Sequence, residues 1–255
     1  MKVAGYTKFR NREKFIDKKL LIKFERTGEA TTMNGKPDYN IPEPTLRRLP
    51  RYYNYLKALL NRGREVVSCT HIGKDLELDP PQIRKDLAYT GIRGLPKVGY
   101  QVEELIKSIE DFFGWNNIDE AFLVGVGNMG RALIDYKGFS RYGFKIIAAF
   151  DNDSEIVGKT FGGVEVLPLN KLTSLCQRMN VHIGVITTPD HAAQEVADMM
   201  IAGGIIGIWN FAPAEIRTPE GVIVQNENLA AGLSVLCKKL QMLKQSGKIR
   251  QEVRE

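Results

Sequence analysis

Residues 122–133 read Phe-Leu-Val-Gly-Val-Gly-Asn-Met-Gly-Arg-Ala-Leu. An apolar β-type run, three glycines spaced G-x-G-x-x-G and the opening of a helix admit few folds. Gly125 permits a sharp turn, Gly127 leaves the backbone open to close approach, and Gly130 lets the helix lie against the strand. The free N–H groups and positive dipole end of such a helix attract phosphate. A second apolar run, 145–150, ends at Asp151, 21 residues beyond Gly130. At that spacing an acidic residue meets an adenosine ribose 2′-OH and repels a 2′-phosphate. The stretch therefore predicts an NAD(H) site. Gly125, Val126, Gly127, Asn128, Met129 and Gly130 would surround the pyrophosphate, with Asp151 at the ribose. A doubly wound sheet that binds nothing can carry the same turn; the acidic residue at the right distance argues for a ligand.

Strand-like and helix-like segments alternate beyond this point: 164–167, 169–179, 181–187, 190–202, 205–211 and 222–225. The alternation is that of an open, mostly parallel sheet. Ligands of such sheets lie beyond the carboxyl ends of the strands. That rule places Thr187, Thr188, Pro189, Asn210, Phe211 and Ala212 beside the cofactor. The chain then closes on an apolar helix from Asn228 to Leu243, with Leu229, Leu233, Leu236, Leu240 and Leu243 in one stripe. The stripe suits a dimer interface better than its own sheet.

Charge is unevenly spread. Residues 1–40 and 41–100 each carry a net +5, and residues 101–255 a net −4. A basic front end suggests a polyanionic partner. Residues 1–40 show no clear periodicity beyond Phe9, Ile16, Leu20 and Leu21 and read as a poorly ordered basic extension. Met33 stands just ahead of the first clear domain as a candidate translation start. From Pro44, helical spacing of Tyr52, Tyr53, Leu56, Leu59 and Leu60 predicts a helix stopped at Gly63. A short helix over 70–76, capped by Ser68 or Thr70, precedes Asp79-Pro80-Pro81-Gln82-Ile83-Arg84-Lys85-Asp86-Leu87-Ala88-Tyr89. Asp79 suits an N-cap and Pro80 the first helical position. Ile83 and Leu87 face inward, leaving Gln82, Arg84, Lys85 and Tyr89 outward. This is a helix-turn-helix plan, its second helix set for a major groove. The glycine-rich segment 91–100 reads as a β-hairpin wing, with Arg93 and Lys97 near a tip suited to the narrow minor groove of A·T-rich DNA. A helical subdomain with a solvated basic face would share these features.

The layout is therefore α/β: a basic extension (1–40), a winged helix-turn-helix domain (41–115), a Rossmann-like parallel sheet (116–227) and a C-terminal dimerisation helix (228–255). Cys69, Cys176 and Cys237 form no CxxC pair, which predicts reduced thiols and a cytoplasmic protein. No apolar run approaches the roughly 20 residues that span a bilayer, and the N-terminus lacks an apolar signal core. No metal-ligand spacing and no catalytic constellation stand out. His71 falls in the helical unit, His182 at the start of a buried strand and His191 at a helix start. An NAD-dependent dehydrogenase or a CoA-handling protein stays open as the enzymatic alternative, and a DNA-binding protein with a purely structural nucleotide as another.

Taken together and in order, Arg48-Leu-Pro-Arg-Tyr-Tyr53, Gln82-Ile-Arg-Lys-Asp-Leu87 with Gly91, Gly99-Tyr100, Gly125–Gly130, Phe150-Asp151, Thr187-Thr-Pro189 and Asn210-Phe-Ala-Pro213 form a specific pattern. From about Ile41 to Leu240 the chain resembles the Rex family of redox-sensing transcriptional repressors. The resemblance implies a homodimer whose last helix is exchanged between subunits. It also implies an operator released on NADH binding, with NAD+ permitting DNA binding. Carried onto this chain, Arg84, Lys85 and the wing residue Lys97 would meet DNA, with Arg48 a further DNA-binding candidate, and Gly125–Gly130 and Asp151 would meet the dinucleotide. Two positions depart from the family pattern. An Arg of the first helix and an Asp ahead of the last helix, which take part in the family's switch, align with Asn54 and Asn228; their tyrosine is retained as Tyr136. Two amides cannot favour one redox form as a charged pair does. Discrimination is then expected around the nicotinamide, from Tyr136, Phe211 and, from the second subunit, Leu229.

Overall fold

The computed structural model describes residues 41–245, with the exception of the Leu229 side chain. The extension 1–40, with Met33, and residues 246–255 lie outside the described residues. The chain forms two compact units that meet in sequence between Ile109 and Glu110.

The first unit runs α1 (Glu43–Asn61), β1 (Val66–Val67), α2 (Cys69–Leu76), α3 (Pro80–Ala88), β2 (Tyr100–Gln101) and most of α4 (Val102–Phe113). Leu49, Tyr52 and Leu56 of α1, Ile72 of α2, Ile83 and Leu87 of α3, and Leu105 and Ile109 of α4 are all fully buried. Their spacing of three and four residues is what gives each helix an inward stripe. Ser68 caps α2, its Oγ accepting the His71 N–H at 3.1 Å. Asp79 occupies the N-cap position of α3 and Pro80 follows it, but the Asp79 side chain makes no capping bond. The wing is smaller than a full hairpin. β1 pairs antiparallel with β2, and the segment between α3 and β2 is closed by a single bridge between Leu95 and Gly99.

The second unit is a seven-stranded sheet of β3 (Asp119–Val124), β4 (Phe144–Asp151), β5 (Thr160–Phe161), β6 (Val164–Pro168), β7 (Ile183–Ile186), β8 (Gly207–Asn210) and β9 (Ile223–Asn226). Its order is β5-β6-β4-β3-β7-β8-β9, with every pairing parallel except the β5–β6 hairpin. Without β5 this is the 3-2-1-4-5-6 order of a dinucleotide-binding sheet, reversing between β3 and β7. Residues 121–124 are buried throughout, as a central strand covered on both faces requires. Phe122 and Val124 pack with α6 (Leu172–Met179) and α7 (Asp190–Ala202). Ala121 and Leu123 share the opposite layer with Leu133 and Ile134 of α5 (Asn128–Asp135) and with Phe139. α8 (Leu229–Gln245) ends the described chain.

The boundary expected between residues 115 and 116 falls instead inside the second unit, which begins at Glu110. The Phe113 ring stacks on Trp115 at 4.7 Å, and Trp115 meets Tyr142 edge-on at 4.8 Å. The last turn of α4 is thereby drawn to the sheet.

Candidate functional site

In the first unit, Arg84 and Lys85 are exposed on α3, and Arg93 and Lys97 on the wing. Lys97 sits in left-handed backbone at φ 62°, a conformation that a residue other than glycine rarely adopts. Tyr89 is half-buried where α3 ends. The structure parts Arg48 and Gln82 from this exposed set. Both are turned to Asp86, a fully buried carboxylate. Arg48 donates to it through Nε at 2.6 Å and Nη2 at 2.8 Å, Tyr52 through its hydroxyl at 2.7 Å, Thr45 at 2.9 Å and Gln82 at 3.0 Å. Burial pushes the Asp86 carboxyl up, and these donors outweigh it and hold it below the usual carboxylate range. The same cluster raises the Tyr52 hydroxyl, chiefly by burial and then by its bond to Asp86. Arg48 thus serves here to fix α3 against α1, while Gln82, four residues before Asp86 on α3, braces that carboxylate from its own helix. Asp86 itself was missed from the sequence, because its partners lie up to 41 residues away.

In the second unit the glycine turn has the geometry that each glycine was expected to serve. Gly125 has φ 97°, and a Cβ there would meet Thr187 and Thr188 backbone atoms at 2.9 Å. A Cβ at Gly130 would run into the Gly125 carbonyl oxygen. A Cβ at Gly127 would meet nothing within 4 Å. So the turn is solid where helix and strands cross and open where a ligand backbone would lie. Asn128 and Met129 open α5 just beyond it. Asp151 closes the turn from β4. Its Oδ2 accepts the Val126 N–H at 2.7 Å, and its Oδ1 accepts the Asp153 N–H at 3.0 Å. A carboxylate offers about four acceptor sites, so two bonds leave capacity for a ribose hydroxyl.

Thr187 joins β7 to the turn. Its hydroxyl donates to the carbonyls of Gly125 at 2.6 Å and Val124 at 3.1 Å, which commits it to the protein. The neighbouring Thr188 Oγ1 is buried and has no hydrogen-bond partner among the described residues. Pro189 precedes α7 and is exposed. Asn210 is buried and ties the following loop, donating to Ala214 and Asn226 and accepting the Ala212 N–H. Phe211 hangs from that loop against Trp209 at 4.7 Å. An open glycine turn, an acidic residue beside it and a buried unpartnered hydroxyl at the point of reversal fit a dinucleotide.

Three comparisons bear on this arrangement. Residues 40–88 match the family described as "Putative DNA-binding protein N-terminus", and residues 116–214 match "CoA binding domain". The redox-sensing transcriptional repressor Rex of Bacteroides fragilis is 45% identical over 213 residues, covering 82% of this chain and 97% of that protein. Rex of Porphyromonas gingivalis W83 is 42% identical over 206 residues, 81% and 94% of the two chains. Among solved structures, RSP in complex with β-NAD+ and operator DNA has a TM-score of 0.76 at 30% identity, covering 84% of this chain and 99% of that one. RSP in complex with β-NADH has a TM-score of 0.75 at 29% identity, covering 84% and 100%.

The chain belongs to the Rex family.

In this Rex chain Tyr136 stands at the far end of α5 from the glycine turn. It follows α5, whose eight residues carry it about 12 Å from the turn. There it is exposed and packs edge-on against Phe139 at 4.8 Å. Asn228 accepts the Ala231 N–H at 3.1 Å and so caps the start of α8. Leu229 is the first residue of that helix, and its side chain lies outside the described residues. His182 is exposed and not part of the core, and His191 is exposed with Nδ1 3.5 Å from Asp190. Among the described residues no cluster of metal-ligating side chains occurs, and no helix is long and apolar enough to cross a membrane.

Proposed function

We propose that this Rex protein is a cytoplasmic, homodimeric repressor that grips double-stranded operator DNA and releases it when NADH fills the glycine cradle, NAD+ permitting the grip. The observation that carries the proposal is one chain holding both an open dinucleotide turn and a cationic recognition helix, matched along both by Rex repressors. Arg84 and Lys85 on α3 face the major groove, helped by Tyr89. Arg93 and Lys97 on the wing face a minor groove, which favours an A·T-rich site. Gly125–Gly130, with the N–H groups at the start of α5, hold the pyrophosphate. Asp151 takes the adenosine ribose, and Thr188 and Pro189 flank the ligand. On this reading the chain is a regulator with no catalytic residue.

Bound NAD(H) supplies a difference in charge, cationic in NAD+ and neutral in NADH, at the nicotinamide. A ligand of equal affinity for two states shifts neither. Asp151 and the glycine turn meet the same chemistry in both forms. Selection between them therefore falls to Tyr136, Phe211 and, across the dimer, Leu229 of the second copy. Tyr136 is exposed where α5 ends, away from the glycine turn, which supports a place at the nicotinamide. α8 supports the dimer itself. Leu233, Leu236, Leu240 and Leu243 form one apolar stripe, Val235 and Met242 a second, and all are exposed in the single chain. A helix apolar on two sides is buried when it reaches its working state.

The deciding experiment follows a labelled operator duplex by fluorescence anisotropy while NADH is titrated into the preformed complex at several salt concentrations. The complex is expected to dissociate with NADH and to persist with NAD+. Arg84→Ala should lower the salt slope by about one, whereas Arg48→Lys should leave that slope unchanged, since Arg48 faces Asp86. Absence of salt-dependent duplex binding would remove the DNA reading. Equal operator affinity at every NADH/NAD+ ratio would reduce the nucleotide to a structural element. The match of residues 116–214 to a CoA-binding family gives a second reading, a CoA site; it is retired if excess CoA fails to displace NADH.

A further inference from the structure

Val126 is held from two sides by opposite charges. Asp151 accepts its N–H at 2.7 Å, and Arg131 donates through Nε to its carbonyl at 2.9 Å. The Arg131 guanidinium lies over the Phe161 ring of the β5–β6 hairpin, 4.5 Å from its centroid. That stacking fixes the plane of the group, and an Arg fork so fixed loses little freedom when it binds an anion. Among the described residues its Nη1 and Nη2 carry no hydrogen bond, and no carboxylate lies within salt-bridge distance of them. A cation with uncommitted donors thus stands one residue's width from the carboxylate that reads the ribose.

In dinucleotide sites of this topology an acidic residue at the end of the second strand selects the ribose 2′-OH, while an arginine nearby accommodates a 2′-phosphate. This chain carries both, anchored to the same residue. We propose that Asp151 and Arg131 form an opposed pair that sets the preference between NAD(H) and NADP(H). Asp151 imposes the refusal of a 2′-phosphate, and Arg131 is the latent phosphate ligand that makes this refusal depend on a single carboxylate. Asp153 adds negative charge nearby, but its Oδ1 is engaged by the Glu155 N–H at 2.8 Å. The inference rests on the reading of the cradle as an NAD(H) site.

The test measures NADH and NADPH affinities by nucleotide fluorescence for the full chain, Asp151→Asn, Arg131→Ala and the double variant. Asparagine keeps an oxygen for the Val126 N–H, so the turn retains its bond. The ratio of NADPH to NADH affinity is expected to rise about tenfold in Asp151→Asn, the worth of one hydrogen bond to a charged group. Adding Arg131→Ala should return the ratio toward its starting value. If Arg131 only positions the turn, both nucleotides weaken together and the double variant keeps the ratio of Asp151→Asn; that result overturns the inference alone. Failure of the full chain to bind NADH overturns the cradle reading and this inference with it. Should Asp151→Asn fold poorly, Arg131→Ala by itself decides: a ratio lower than that of the full chain supports the pair, and an unchanged ratio overturns it.

Discussion

A carboxylate fully withdrawn from water, as Asp86 is, stays ionised only while its donors stay in place. Its depressed pKa sets the sign of a pH effect. The stabilisation is fully present above the ordinary carboxylate value of about 3.9 and is lost as pH falls from there through the lowered folded value. Urea denaturation of the protein between pH 6 and about pH 3 should show this loss, and Asp86→Asn should flatten it. The same variant should cost about 2–4 kcal/mol near neutral pH, because Arg48 is left part-buried without its counter-charge. The glycines of the turn separate in the same way. Gly127 has φ −72°, open to any residue, and space around it. Gly127→Ala should keep stability within about 0.5 kcal/mol and weaken NADH binding. Gly130→Ala should lower stability by about 1–3 kcal/mol, since its methyl has no room. Thermal unfolding and NADH titration of the two variants check both statements.

α3 was readable as an element because its marks are local. Asp79-Pro80 starts it, and Ile83 and Leu87 sit four apart with charges between them. The same spacing could not assign Asp86, which stands next to Lys85 like any surface charge. Only the fold brings Thr45, Arg48 and Tyr52 of α1 onto it. For the same reason Arg48 reads as a surface contact in one dimension and proves to be a bond between helices in three, while Gln82 turns to Asp86 along its own helix. The glycine turn was legible because its spacing is local, although the atoms that exclude a side chain at Gly125 arrive on Thr187 and Thr188. Arg131 was not, because its partner Phe161 arrives on a hairpin that pattern alone had given only one strand. Tyr136 was placed near the nicotinamide by resemblance alone, since no local spacing marks a residue that only follows α5. The wing carries its own prediction. Lys97→Gly should relieve the left-handed backbone at φ 62°, raising thermal stability by up to about 1 kcal/mol. It should weaken operator binding at the same time, measured by anisotropy on one preparation.

For the molecule as a whole, the proposed dimer rests on α8. Its two apolar stripes imply that both sides are covered in the dimer. Leu236→Asp and Val235→Asp lie on different sides, and each alone should shift sedimentation velocity from dimer to monomer. A dimer that survives Val235→Asp would mean that only the leucine stripe is buried. Either monomer should bind the operator duplex more weakly and lose its response to NADH, because the groups assigned to nicotinamide selection come from two chains. The cap of α8 has a bearing on what such an assembly can sense. Asn228 holds the Ala231 N–H with a neutral amide oxygen. An amide neither gains nor loses a proton across the physiological range, so the cap itself carries no charge for acid to change. Acid therefore has no proton to add at the Asn228 cap itself, and any acid response of this joint would have to pass through the neighbouring Glu227 carboxylate, which accepts the Trp209 indole N–H at 3.0 Å.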